Sequence, residues 1–155
     1  MPDMERDEAR ERFGEARIAR LATIDPGGRP HLVPVVFARR GDDIVTAVDQ
    51  KPKRSQRLAR LRNIAVHPAV SLLVDTYDED WDSLWWVRAD GGARIVPPDA
   101  PGVPGEEARE EHAAAVALLR QKYPQYRERP PEGPVIVVDV LRWSGWRAVR
   151  EDDGA

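Results

Sequence analysis

Cysteine is absent from this sequence of 155 residues. The chain can therefore form no disulfide framework, thiolate nucleophile or zinc–thiolate site, which is consistent with an intracellular protein. Histidine is scarce, and His31, His67 and His112 lie far apart with no i, i+4 pair and no carboxylate in a known ligand spacing. No metal site is predicted. No serine stands in a G-x-S-x-G setting, so the serine hydrolase pattern is missing too.

Long apolar runs are also lacking, since none approaches the roughly 20 residues that span a bilayer. The N-terminus is charged from Asp3 onward and has no apolar segment of the kind that a secretory signal requires. A cytoplasmic protein without a membrane partner is predicted. The net charge of −3 argues against a general nucleic-acid binder, so no nucleic-acid partner is expected.

What is present fits one ordinary domain. The 155 residues, with 41% apolar and 33% charged side chains, are enough to bury one core. We predict a single domain over residues 1–155, with an N-terminal helix from Asp3 to Ala16 and a tail from Glu151 to Ala155. The helix has one thin apolar stripe, which is typical of a helix that braces another surface.

Short Val-rich segments separated by turn residues predict a mainly β (α+β) fold. The element order reads α-β-β-β-α-β-β-β-α-β, with turns at Gly27-Gly28 and Gly41-Asp42 and a hairpin tip at Gly91-Gly92. "HLVPVVFARR" is interpreted as one strand, and Pro34 within it indicates an edge or a bulge. The pattern predicts a small barrel of six or seven antiparallel strands with helices at its margins.

The sequence concentrates positive charge in one place. "KPKRSQRLARLRN", Lys51 to Asn63, holds six Lys or Arg residues in thirteen positions and no acid. Lys51 and Lys53 fall where a strand ends and a helix begins, and such a junction favours an anion. Arg54, Ser55 and Arg57 could add charge-assisted bonds to a phosphate. The alternative is an amphipathic helix with its arginines in water.

Three ordered segments carry a resemblance to a known family: "ARLATIDPGGRPHLVPVVF", "VTAVDQKPKRSQRLARLRN" and "HPAVSLLVD". They resemble the pyridoxamine 5′-phosphate oxidase-like split-barrel flavoproteins, which are FMN-binding split barrels, and most closely their deazaflavin branch. The resemblance covers roughly residues 17–96 and implies a homodimer with a cofactor in each of two clefts between subunits. It places the cofactor phosphate on one set of residues: Lys51, Lys53, Arg54, Ser55, Arg57, and less firmly Arg60 and Asn63. About one extra helical turn precedes Asn63, which leaves the register of Arg57 and Arg60 open.

The resemblance implies an oxidoreductase that uses a flavin-type cofactor on a small-molecule substrate, with no catalytic residue assigned. Coenzyme F420, a deazaflavin with a phosphate, a lactate and a glutamate tail, suits a basic field wider than one phosphate needs. Flavin mononucleotide (FMN) is the alternative cofactor. A protein that binds a flavin, a deazaflavin or haem without turnover is the alternative function.

Two further groups of residues are candidates for the chemistry. Pro34 and Val35 are candidates for the apolar slot of a ring, because proline in a strand leaves neighbouring carbonyls free for a ligand, although an edge strand with nothing bound is the alternative. Trp81, Trp85 and Trp86 are candidates for a substrate pocket or a dimer interface. Trp85 and Trp86 are adjacent on a predicted strand and should point to opposite faces.

Overall fold

The structure, a computed structural model of the chain, describes residues 3–48, 54–98 and 105–148, without the side chains of residues 54–58. The helices are α1 (Arg6–Glu15), α2 (Arg54–Val66), α3 (Glu106–Lys122) and α4 (Pro124–Glu128), with a 3₁₀ turn at Trp81–Ser83. The strands are β1 (Ala19–Ile24), β2 (Pro30–Val35), β3 (Ala38–Arg40), β4 (Asp43–Ala47), β5 (Ala69–Thr76), β6 (Trp85–Val96) and β7 (Val135–Arg147). No helix in the described ranges is long and apolar enough to cross a membrane.

All seven strands form one sheet in the order β2-β1-β5-β6-β7-β4-β3, and every pairing is antiparallel. The two edge strands, β2 and β3, are separated along the chain by only Val36 and Phe37. Three Cα–Cα steps span at most about 11 Å, so the opposite edges of the sheet must approach each other. The sheet therefore curls into a split barrel, and the predicted fold is confirmed.

The inner face of the curled sheet holds the core. Its largest fully buried side chains include Phe13 of α1, Phe37 between the two edges, Leu21 and Leu72. Phe13 packs against Phe37 with ring centroids 4.8 Å apart and against Trp143 at 5.4 Å. The first helix thus supplies an aromatic side chain to the barrel core, as its apolar stripe predicts.

Asp42 fastens this helix to the barrel. Its carboxylate accepts hydrogen bonds from Arg6 (2.5 Å) and Arg10 (3.2 Å) of α1 and from the Trp143 indole (2.9 Å). The indole hydrogen bond is the largest cause of a lowered Asp42 pKa, and the two arginines add to it. The pKa shift shows that the ionised carboxylate is the form that this arrangement favours.

The helix starts later than predicted, at Arg6 instead of Asp3. Asp3 makes an isolated β-bridge with Trp146, and the Met4 backbone N–H donates to the Gly145 carbonyl at 3.0 Å. Met4 is buried, 9% exposed, against that strand. The extended start is explained by this pairing, which a helical backbone could not make.

The predicted turns at Gly28 and Gly41 are confirmed, and both residues have positive φ, 86° and 61°. The predicted hairpin tip at Gly91-Gly92 is wrong, because β6 runs unbroken through both glycines. Pairing with β7 shifts there, since Asp90 faces Arg142 whereas Gly91 faces Val140, which leaves Leu141 as the extra residue of a bulge. A Cβ on Gly91 would lie 2.2 Å from the Asp139 carbonyl oxygen, whereas one on Gly92 would meet nothing within 4 Å. Gly91 serves a close backbone approach instead of a turn.

The segment "HLVPVVFARR" is also divided, into β2 and β3, where one strand was predicted. The division falls where the chain passes from one edge of the sheet to the other. The residues that make this crossing are Val36 and Phe37, which we call the crossing segment. Thr46 of β4 donates its hydroxyl hydrogen to the Val36 carbonyl at 2.7 Å and so fixes this segment. The expected edge position of Pro34 is confirmed, because β2 is an edge strand of the sheet.

Candidate functional site

A groove of about 250 Å³ opens where the two sheet edges meet. Its apolar wall consists of Ile18, Pro34, Val35, Val36 and Ala47, and its polar side consists of Thr46, Arg60 and Tyr126. The wall comes from β2, β4, the segment that follows β2, and Ile18 just before β1, so the curl of the sheet creates the groove. We call it the edge groove.

The edge groove is apolar on one side and carries a cation on the other. Pro34 is exposed and Val35 is 5% exposed, so β2 contributes both an accessible and a buried side chain. Arg60 reaches the groove from α2. A planar apolar ring with an anionic substituent fits such a lining, because the ring can pack on the wall while the guanidinium attracts the anion.

The structure brings together three of the residues that the sequence singled out, Pro34, Val35 and Arg60. Asn63 lies elsewhere, 1% exposed, with its side-chain amide donating to the Thr23 hydroxyl at 3.1 Å. This bond joins α2 to β1 and fixes the helix on the barrel. A direct bond from Asn63 to a cofactor stays a prediction.

The rest of the predicted phosphate site is not described. Lys51 and Lys53 lie outside the described residues. Arg54, Ser55 and Arg57 belong to the first turns of α2, but their side chains lie outside the description as well. Their role at a phosphate stays a prediction.

Behind the edge groove lies a cluster that sequence reasoning missed. The Tyr123 hydroxyl accepts from the Phe37 backbone N–H at 3.1 Å, and the Phe37 and Arg17 carbonyl oxygens each lie 2.9 Å from it. Tyr123 therefore pins the crossing segment from the side of α3. Its ring also contacts Tyr126 of the groove, with centroids 6.0 Å apart. No local sequence signal indicates these partners, which lie up to 106 residues away.

Lys122 is the unusual charge of this cluster. Its amine lies 3.8 Å from the centroid of Phe37 and 5.4 Å from that of Tyr123, with no hydrogen-bond partner among the described residues. Burial, with a smaller contribution from Arg17, lowers the pKa of Lys122 from 10.5 to about 8. Burial also raises the pKa of Tyr123. Two aromatic faces partly replace the water that this ammonium group has lost.

The three candidate tryptophans occupy different surroundings. Trp81 is 68% exposed, in the 3₁₀ turn before β6. Trp85 packs against the core and lies under Arg12 of α1, whose guanidinium is 5.3 Å from its ring. Trp86 lies on the outer face with Arg88, at 5.8 Å. Trp85 and Trp86 also border a second groove, of about 400 Å³, at one end of the outer face, whereas Trp81 does not line it.

The family model described as pyridoxamine 5′-phosphate oxidase matches residues 6–147, which is nearly the whole described chain. The chain belongs to this family. Among curated proteins, none matches the sequence.

Solved structures share the fold at low sequence identity. The conserved hypothetical protein Rv2991 from Mycobacterium tuberculosis is 22% identical, with a TM-score of 0.69 over 93% of this chain and 85% of that one. The FAD binding protein from Mycobacterium smegmatis is 16% identical, with a TM-score of 0.61 over 96% of this chain and 98% of that one. A heme binding protein from the same organism is 22% identical, with a TM-score of 0.67 over 91% of this chain and 53% of that one. At these identities the similarity supports the fold alone.

Proposed function

We propose that this protein is an oxidoreductase that binds the deazaflavin coenzyme F420 and moves a hydride to or from a small organic substrate. The observation that carries the proposal is the edge groove, where Pro34, Val35 and Arg60 meet. Family membership supports a flavin-type cofactor, and the six basic residues of Lys51–Asn63 support one with several negative charges. When bound, the deazaflavin ring accepts or donates a hydride, so the protein need supply no nucleophile.

The chain's own residues bind and orient the ring. The apolar wall of the edge groove packs on the ring and excludes water from it. Arg60 attracts the anionic part of the cofactor. The Thr46 hydroxyl donates its hydrogen to the Val36 carbonyl, so Thr46 stabilises the wall and does not bind the cofactor. Lys51, Lys53 and the first turn of α2 complete the phosphate site in this proposal.

A second copy of the chain forms a homodimer through the outer face of the sheet. Leu32 and Leu141 are 65% and 85% exposed there. Arg88 bonds Asp90 at 3.1 Å, and Asp90 accepts from Ser71 at 2.6 Å. Because these charges are paired within the face, a partner can cover them without leaving a charge unpaired. Light scattering should give the mass of two chains, and a monomer at micromolar concentration would contradict the dimer.

The cytoplasmic location expected from the sequence stays a prediction.

The decisive experiment is a titration of the purified protein with F420 and, separately, with FMN, following ring fluorescence at physiological salt. We expect F420 to bind more tightly. Tighter binding of FMN would still support the edge groove as the cofactor site but would make FMN the cofactor. Binding of haem alone would make the protein a haem binder, like the two structural relatives named as haem-binding and haem-storage proteins.

Arg60 provides the sharpest variant for this titration. Arg60→Ala should weaken F420 binding about tenfold or more, because a hydrogen bond to a charged group contributes about 1.5–3 kcal/mol. Arg62→Ala is the matched control, since Arg62 is exposed two residues further along α2 and does not line the groove. Equal affinities of the two variants would show that the cofactor binds elsewhere. Lys51→Ala with Lys53→Ala should weaken binding further, and normal binding would rule out the phosphate site.

A further inference from the structure

The second groove, at the end of the outer face, is lined mainly by aromatic and aliphatic residues. It is lined by Trp85, Trp86 and Trp146 together with Leu73, Leu84 and Tyr77. Trp86 and Trp146 face each other across the β6–β7 ladder. At about 400 Å³ the groove has the size of an ordinary small-molecule site. We call it the tryptophan groove.

Two charged side chains border the tryptophan groove, and of these Arg88 is paired whereas Asp75 is exposed to solvent. The Arg88 guanidinium lies 5.8 Å from the Trp86 ring and bonds the Asp90 carboxylate at 3.1 Å. Asp75 and Thr76 also border the groove, and both are exposed. The aromatic and aliphatic side chains thus remain as the main contact surface. Flat conjugated molecules match such a surface best, since they stack on it over their whole area.

The tryptophan groove lies near the edge groove on the same side of the sheet. Pro34 of the edge groove pairs with Arg20, Arg20 pairs with Leu73, and Leu73 borders the tryptophan groove. Directly paired residues of antiparallel strands point to the same face. Two strand spacings separate Pro34 from Leu73, or about 10 Å between backbones. Ligands of a few rings in the two grooves could therefore come within contact distance.

We propose that the tryptophan groove binds the substrate of this protein, and that the substrate is a planar, largely uncharged conjugated molecule of one or two fused rings. The ligand is a substrate only if the protein is the proposed oxidoreductase, so that part of the inference rests on the proposed function. The groove's preference for planar ligands is independent of it.

The test measures binding of menadione, a planar two-ring quinone, to the full chain by ligand-observed NMR without any cofactor. We expect saturable binding, at least tenfold tighter than that of 2-decalone, which has a similar size but is not planar. Trp86→Ala should weaken menadione binding at least fivefold. Tyr77→Ala should do the same, and because the Tyr77 side chain is 69% exposed this variant should fold normally. Trp81→Ala is the matched control, because Trp81 is exposed and does not line the groove.

The outcomes separate this inference from the proposed function. Menadione binding that depends on Trp86 and Tyr77, in a protein that binds neither F420 nor FMN, would support the groove and defeat the proposed function. Cofactor binding without menadione binding, or equal binding of menadione and 2-decalone, would overturn the inference. So would a Trp86→Ala variant that becomes monomeric while the unaltered protein binds no menadione, because a second copy would then occupy the groove.

Discussion

The two sides of the barrel treat charge in opposite ways. On the side of α1, the half-buried Asp42 carboxylate accepts three hydrogen bonds, from Arg6, Arg10 and Trp143. On the side of the edge groove, the buried Lys122 amine lies against two aromatic rings without a hydrogen-bond partner among the described residues. The first arrangement favours the charged form of its group and the second disfavours it. The α1 side stabilises its charge, whereas the groove side holds a group whose pKa is shifted by burial, as is common at functional sites.

The largest effect is expected on the α1 side. Phe13→Ala should lower the free energy of unfolding by about 3–5 kcal/mol, because it leaves a cavity between Phe37 and Trp143 in the fully buried core. Chemical denaturation monitored by tryptophan fluorescence measures this. Glu11→Ala, at an exposed position of the same helix, should change stability by less than about 0.5 kcal/mol. A loss below about 1 kcal/mol for Phe13→Ala would show that α1 does not brace the barrel.

An intermediate effect is expected in the β6–β7 ladder, which both sides share. Gly91→Ala should destabilise the protein by about 1–3 kcal/mol, the usual range for overpacking, because its Cβ would collide with the Asp139 carbonyl. Gly92→Ala should cost much less, since a Cβ there meets nothing within 4 Å. Thermal denaturation of the two variants compares them directly. Equal costs would contradict the bulge and restore the hairpin reading of these glycines.

The smallest effect concerns Lys122 and is visible in the pH dependence. Because its folded-state pKa is lowered, to about 8, the unfolded chain binds more protons than the folded chain between pH 8 and 10.5. Stability should therefore rise with pH across this window. Tyr123 acts in the opposite direction near its own ordinary pKa of 10.0, since its folded-state pKa is raised. The rise is best measured between pH 8 and 9.5, by urea denaturation.

Lys122→Met tests the cause of that rise. The variant should abolish the alkaline rise and gain roughly 1 kcal/mol or less at pH 7, a small gain because the side chain is only partly buried. The acid side of the profile, to which Asp42 contributes through its lowered pKa, should be unchanged. Destabilisation by Lys122→Met at pH 7 would mean that attraction to the rings of Phe37 and Tyr123 outweighs the burial cost.

Much of the fold could be read from local patterns. The turns at Gly28 and Gly41 carry glycine where φ is positive, and the alternation of β5 and the apolar spacing of α2 follow periodicities that a few neighbouring residues define. Gly91 and Gly92 show the limit of such reading. A glycine pair predicts a hairpin, but the backbone of Asp139, 48 residues later, decides that Gly91 lies within a continuous strand.

The site divides in the same way. The sequence by itself determined the strand types, the basic stretch, the edge proline and the family, because these depend on neighbouring residues and their order. Only the tertiary structure decided that Pro34, Val35 and Arg60 meet in one groove and that Tyr123 pins the crossing segment at Phe37. It also placed Lys122 on the Phe37 ring. These contacts arise from the curl of the sheet and join residues that are distant in sequence, so no local pattern encodes them.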